Sequence, residues 1–349
     1  MDTRRVLVCE TQVPLVFGGA EILVRELVAQ LRSRGFVADL VSLPFKWYPK
    51  EEILAHAAAW RLIDLSESNG QRIDLVIATK FPSYFVRHPN KVTWLVHQHR
   101  AAYDLCGTQY GDFDHVELDV GLRQRLVELD RTMLGESKRV YTIGRVTSAR
   151  LEKYNGISAP PLYHPPRLAS LLRPGPYGDY VLSVGRIESI KRVDLAVRAL
   201  AAVPGSLRLV VVGEGTQRPH VERVAESLGL NDRVTFLGTV SDDDLVALYA
   251  GALAVVFAPF DEDYGYVTLE AFLARKPVIT AWDSGGPLEF VEDGVNGLVA
   301  EPCAEALAEA MALLEGDRDL AARMGEAGFT RASHVTWDGV IESLVGSAH

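Results

Sequence analysis

Short runs of branched apolar residues recur along the whole chain, and each is followed by a stretch with helical spacing. Val6, Leu7 and Val8 open the series; Ile22, Leu23, Leu27, Val28 and Leu31 then share one helical face, which Gly35 ends. Further strand-like runs stand at residues 37–43, 73–78, 92–96 and 140–143. A second series occupies 181–184, 207–212, 234–237, 253–258, 278–280 and 297–299. Strands that are apolar nearly throughout, alternating with helices, predict parallel sheets covered on both faces. The expected fold class is α/β, arranged as two doubly wound domains.

The boundary between the series is marked by proline. Pro160, Pro161, Pro165, Pro166, Pro174 and Pro176 are six of the chain's 17 prolines, a density that prevents regular structure and reads as a linker. The predicted domains are 1–168 and 169–349, and a chain of 349 residues is long enough for two cores at ~150 residues per domain. The alternative is one domain with a long proline-rich loop. Near the end, Trp337, Val340, Ile341 and Leu344 give residues 336–346 the spacing of a short amphipathic helix.

Composition narrows the classes. A hydrophobic fraction of 48% with 23% charged residues excludes a disordered or fibrous chain. Lys plus Arg total 36 against 46 Asp plus Glu, a net charge of -10, so no nucleic-acid partner is expected. Cys9, Cys106 and Cys303 are widely spaced and odd in number, which argues against a disulfide framework or a zinc site. The first apolar run is too short for a signal peptide, and no run reaches the ~18 apolar residues of a membrane span. A cytoplasmic location without a transmembrane segment is the expectation; peripheral membrane contact stays open.

In open α/β sheets, ligands bind beyond the carboxyl ends of the strands. After the first strand, Gly18 and Gly19 stand directly before a helix, where small residues let an anion approach the backbone amides. The loop matches neither GxGxxG nor a Walker A motif, against a nicotinamide enzyme or a P-loop NTPase. After residues 181–184, Arg186 and Lys191 stand five residues apart on a loop leading into a helix and can converge on one diphosphate. After 253–258, Glu262 falls in a loop and Glu270 about one turn inside a helix predicted to begin near Tyr266. A carboxylate accepts two hydrogen bonds and suits a vicinal diol, so the two can hold two sugars of one ligand.

In order along nearly the full length, these segments resemble glycosyltransferase family 4, the retaining nucleotide-sugar transferases of GT-B fold. The residues that carry the resemblance are GGAE after the first strand, SVGRIESIKRVD, VVVGEG and VTFLGTVSDDDL. EDYGYVTLE follows, with the family's two glutamates, and SGGPLEFVEDGVNGLV comes next. The resemblance implies two Rossmann-like domains facing across a cleft, with the acceptor mainly on the N-terminal domain and the nucleotide-sugar donor mainly on the C-terminal one. It implies that the last helix crosses back to the N-terminal domain. By position, Arg186 and Lys191 would bind the donor diphosphate with help from Gly18 and Gly19. Glu270 would hold the ribose, and Glu262 with the backbone amides of Asp263, Tyr264 and Gly265 the transferred sugar. The stretch Gly238-Thr239-Val240 would flank the base, and Val267 and Thr268 would complete the donor contacts. A histidine after the strand at 92–96 would lie close to the sugar; His97 and His99 compete for that place, and in an alternating strand end both would point the same way. His99 is preferred.

The implied reaction is retaining transfer of a hexose-type sugar from a UDP- or GDP-sugar to a hydroxyl of a small-molecule or glycan acceptor. Neither a metal nor a cofactor is expected. The alternatives are a sugar synthase or phosphorylase of the same fold and a non-catalytic nucleotide-sugar-binding subunit.

Overall fold

The computed structural model describes residues 4–346. Residues 1–3 and 347–349, the outer ends of the two predicted domains, lie outside the described residues. The chain forms two compact units: one runs to His164 and resumes at Thr336, and the other spans Pro165–Val335. That division falls between residues 164 and 165, four positions before the predicted one.

The first unit is built from β1 (Arg5–Gln12), α1 (Gly19–Ser33), β2 (Val37–Pro44), α2 (Glu52–Leu62), β3 (Leu75–Ala78), β4 (Lys91–Leu95), α3 (Glu117–Gly135), β5 (Arg139–Thr142) and α4 (Arg145–Asn155). Its five-stranded sheet is parallel, in the order β2-β1-β3-β4-β5, with Val8 beside Leu40 and Ile77. All four residues of β3 are fully buried, as a strand covered on both faces requires. Helix α1 buries Leu23, Leu27 and Leu31, the apolar face expected from their spacing. The final helix (Trp337–Val345) belongs to this unit, where Trp337 meets Trp94 and the ring of His164 edge-on or tilted. Arg34 pairs with Asp338, and Arg139 donates to the Leu344 carbonyl at 3.2 Å.

The second unit follows with β6 (Tyr180–Val184), α5 (Val193–Ala202), β7 (Arg208–Val212), α6 (Arg218–Ser227), β8 (Val234–Gly238), α7 (Asp242–Gly251), β9 (Ala254–Val256), α8 (Tyr266–Leu273), β10 (Val278–Ala281), β11 (Gly297–Ala300), α9 (Ala304–Gly316) and α10 (Arg318–Ala332). The strands are again parallel, in the order β8-β7-β6-β9-β10-β11. Counted from β6 this is 3-2-1-4-5-6, the Rossmann order, and the direction of winding reverses between β6 and β9. Ligand-binding residues are therefore expected on the loops after those two strands.

Two strands fall well short of their apolar runs. The run 253–258 gives only Ala254–Val256 to the sheet, because the carbonyl of Ala258 turns to the Arg192 side chain. Of 73–78 only Leu75–Ala78 is strand, since the Ile73 amide bonds the Ser66 carbonyl instead. The proline-rich stretch carries no helix or strand from 156 to 179, yet it is pinned. The Leu162 amide bonds the Thr142 carbonyl at 2.8 Å, and Lys276 Nζ donates to the carbonyls of Gly175 and Pro176 at 2.9 Å. Among the described residues no helix is long and apolar enough to cross a membrane.

Candidate functional site

At the reversal of the second sheet, the loop after β6 carries Gly185, Arg186 and the short turn Ser189–Lys191, and the loop after β9 runs from Phe257 to Gly265. Backbone bonds stitch these loops to the one after β10. The Phe260 amide bonds the Ile190 carbonyl at 2.8 Å, the Asp261 amide that of Asp283 at 2.8 Å, and the Glu262 amide that of Ser284 at 2.9 Å. The Gly286 amide returns a bond of 2.7 Å to the Glu262 carbonyl. Such close approach excludes a side chain at Gly285, where a Cβ would stand 2.6 Å from the Glu262 carbonyl oxygen and φ is +71°. Gly265, at φ +79°, starts α8 in a left-handed conformation and aims its first turn, with Val267 and Thr268, at the same loops.

On this scaffold Lys191 forms an ion pair with Glu262, each side chain about one-fifth exposed. The Lys191 ammonium also stands 5.6 Å from the centre of the Phe257 ring. Arg186 is exposed, and it lines one small cavity together with Lys191 and Phe257. Glu270 lies on α8, where the Tyr249 hydroxyl donates to Oε2 at 2.7 Å. Burial pushes the Glu270 carboxyl above its ordinary range, and that hydrogen bond opposes the shift only in part. Asp263 and Tyr264 fill the turn between Glu262 and α8, with Tyr264 packed edge-on against Phe290. Val240 is half-buried beyond the end of β8, whose Gly238 carbonyl accepts from the Gly213 amide at 2.8 Å.

Gly18, Gly19, His97 and His99 belong to the first unit. Gly18 caps α1, but its amide already donates to Glu21 Oε2 at 2.9 Å, which leaves it no proton for an anion in this state. Glu21 is in turn paired with the buried Lys80. The alternating strand end assumed for His97 and His99 is absent, because the strand ends at Leu95 and His99 stands at the start of the short helix Arg100–Ala102. The His99 ring sits among Phe45, Phe81 and Phe113, with centroids 5.6–6.1 Å away, and its buried Nε2 has no hydrogen-bond partner. Burial, with His97 nearby, lowers its pKa to about 4, so the ring is neutral at neutral pH. His97 is half-buried with Nδ1 2.8 Å from the Gln98 carbonyl.

Four residues of this region were not singled out from the sequence: Arg192, Asp283, Tyr249 and Phe257. Arg192 holds φ +51° and forks onto Asp283 at 2.6 and 2.8 Å, while donating to the carbonyls of Ala258 and Pro259 at 2.8 and 2.6 Å. Its place directly after Lys191 was the one available signal. Among the described residues, no group of three or more His, Cys, Asp or Glu side chains is placed to hold a metal ion.

Two doubly wound parallel sheets, the second in the Rossmann order with a basic loop and a glutamate-bearing loop at its reversal, define an α/β protein of GT-B fold. Residues 176–331, all within the second unit, match the family model described as "Glycosyl transferases group 1". A D-inositol 3-phosphate glycosyltransferase from Nocardia farcinica is 33% identical over 252 residues, which cover 66% of this chain and 55% of that protein. The chain thus spans about half the length of the curated relatives it matches. Among solved structures, sucrose-phosphate synthase from Thermosynechococcus elongatus aligns with a TM-score of 0.76 at 20% identity, covering 98% of this chain and 97% of that one. WaaG, a glycosyltransferase involved in lipopolysaccharide biosynthesis, gives 0.76 at 20% identity with 98% and 100% covered. Anabaena HepE in complex with UDP and glucose gives 0.71 at 18% identity with 99% and 100% covered. These likenesses establish the fold.

Proposed function

We propose that this protein is a retaining hexosyltransferase that moves a sugar from a nucleoside diphosphate donor, UDP- or GDP-linked, to a hydroxyl of a small-molecule or glycan acceptor, without a metal ion. The observation that carries the reading is the convergence of Arg186, Lys191 and Glu262 on interlocked loops where the second sheet reverses. The names of the curated relatives and the UDP held by HepE support it. As the anomeric carbon–oxygen bond breaks, its electron pair stays on the diphosphate. Fixed cations stabilise that growing charge more strongly in the transition state than in the ground state. In this reading Arg186 and Lys191 supply that charge, with the first turn of α8. Glu262 accepts from hydroxyls of the sugar, to which the backbone amides of Asp263, Tyr264 and Gly265 donate, and Glu270 accepts from the ribose beside Val240, Val267 and Thr268. His99, neutral within its aromatic surround, serves on the first unit as the group nearest the sugar, with His97 beside it in sequence and Gly19 at the start of α1.

The test is a thermal-shift panel of UDP- and GDP-sugars, followed by transfer assays with the donors that bind. A ligand that binds only the native protein raises its melting temperature by mass action. A panel with no shift, or binding with no transfer to any hydroxyl acceptor, would sink the reading.

A further inference from the structure

The ion pair between Lys191 and Glu262 joins the two groups that the proposed reaction needs apart. One is assigned to the diphosphate, the other to the sugar, and in the ligand-free protein they answer each other. Their backbones are fixed independently of that contact. The residue after Lys191 is locked by the Arg192 fork onto Asp283 and two carbonyls, and Glu262 is held through its own amide and carbonyl. The Phe257 ring, 5.6 Å from the ammonium, adds an attraction that does not depend on the Glu262 carboxylate.

We infer that Glu262 is a specificity-determining residue that lets the site tell a sugar-bearing donor from the spent nucleoside diphosphate. The inference rests on the donor reading above. A nucleotide sugar takes Lys191 with its diphosphate and offers hydroxyl protons to the carboxylate that Lys191 has left, so both charges regain partners. A free nucleoside diphosphate takes Lys191 and offers Glu262 nothing. The carboxylate is then left partly desolvated beside a second anion, which is unfavourable on both counts. Binding of the free diphosphate therefore works against the ion pair, whereas binding of the donor replaces it. After transfer, the departing sugar returns Glu262 to its unpartnered state, and re-forming the pair with Lys191 helps to expel the product.

The consequence runs against the usual effect of removing a binding-site charge. Glu262→Gln frees Lys191 and should tighten the free diphosphate by roughly 3- to 10-fold, the scale of a partly exposed ion pair. The same change should weaken the nucleotide sugar, so the ratio of the two dissociation constants falls towards one. Calorimetry with UDP and UDP-glucose, or GDP and GDP-mannose, measures this on the full chain for wild type, Glu262→Gln, Glu262→Ala, Lys191→Met and the double Lys191→Met/Glu262→Gln. The tightening should appear in both Glu262 variants and vanish in the double variant, because it acts through Lys191. Unchanged or weakened diphosphate binding in the Glu262 variants, with Lys191→Met still weakening it, would overturn the exchange and leave the donor reading standing. Wild-type protein that binds none of the four nucleotides would overturn both.

Discussion

Arg186 stands exposed at the mouth of the loop, whereas Lys191 is already neutralised by Glu262, and the difference sets what each substitution does. A diphosphate reaching Arg186 displaces only water. To reach Lys191 it must also break an ion pair, which cancels part of the gain. Arg186→Ala is therefore expected to cost on the order of 2–4 kcal/mol in transition-state stabilisation and to weaken free nucleotide more than Lys191→Ala does. Calorimetry on both variants decides it, and a larger loss from Lys191→Ala would contradict the order. Glu270 calls for a separate test. Its Oε2 already accepts from Tyr249, so the outer lone pairs are those left for a ribose. Glu270→Gln keeps an acceptor for Tyr249 and removes the charge, so free UDP or GDP should bind less tightly by about 1–2 kcal/mol. Equal affinity in wild type and Glu270→Gln would remove Glu270 from the nucleotide contact.

At the scale of elements, the loop after β6 is tied to those after β9 and β10 through Arg192, a left-handed arginine. Its backbone conformation costs a non-glycine residue about 1–2 kcal/mol, and the fork onto Asp283 offsets that cost. Two substitutions separate the contributions. Arg192→Ala loses the fork and keeps the strain; Arg192→Gly loses the fork and relieves the strain. Chemical denaturation should find the glycine variant the more stable by ~1 kcal/mol, with both below wild type. An alanine variant as stable as wild type would show that the fork holds nothing. The tie also explains what was legible beforehand. The strands could be read because each is an unbroken apolar run, the helix start near Tyr266 because glycine precedes it, and the positions of Arg186, Lys191, Glu262 and Glu270 because short motifs surround them. Asp283 lies 91 residues from Arg192, so no spacing rule connects them. The Lys191–Glu262 contact was hidden for the same reason: it depends on which loops meet, not on which residues are adjacent, whereas the bond from Gly18 to Glu21 is a local capping box three residues long.

Across the whole molecule, the described interior of the first unit holds ionisable groups that respond to pH in opposite senses. His99 is lowered from 6.5 to about 4, and His164, buried between Trp94 and Trp337, from 6.5 to about 3, in each case chiefly because burial disfavours the charged ring. Asp130 is raised from 3.8 to about 7, because its complete burial outweighs the hydroxyl that Tyr103 donates at 2.6 Å. A depressed histidine binds its proton more readily when unfolded, so its contribution is full above about 6.5 and is lost as pH falls towards the folded-state value. Asp130 has the reverse sign: its contribution is full below about 3.8 and is lost as pH rises towards about 7. Asp130→Asn keeps an acceptor for Tyr103 and cannot ionise. Its stability relative to wild type should therefore improve steadily from about pH 4.5 to pH 7.5, by ~2–3 kcal/mol over that span. His164→Phe removes one acid-sensitive group from the same interior, so its stability relative to wild type should improve in the other direction, as pH falls from about 6.5. Urea denaturation at a series of pH values measures both differences, and the groups common to wild type and variant cancel. A difference between Asp130→Asn and wild type that stays flat across the series would mean that Asp130 is ionised in the folded protein, and the sign assigned to it would be wrong.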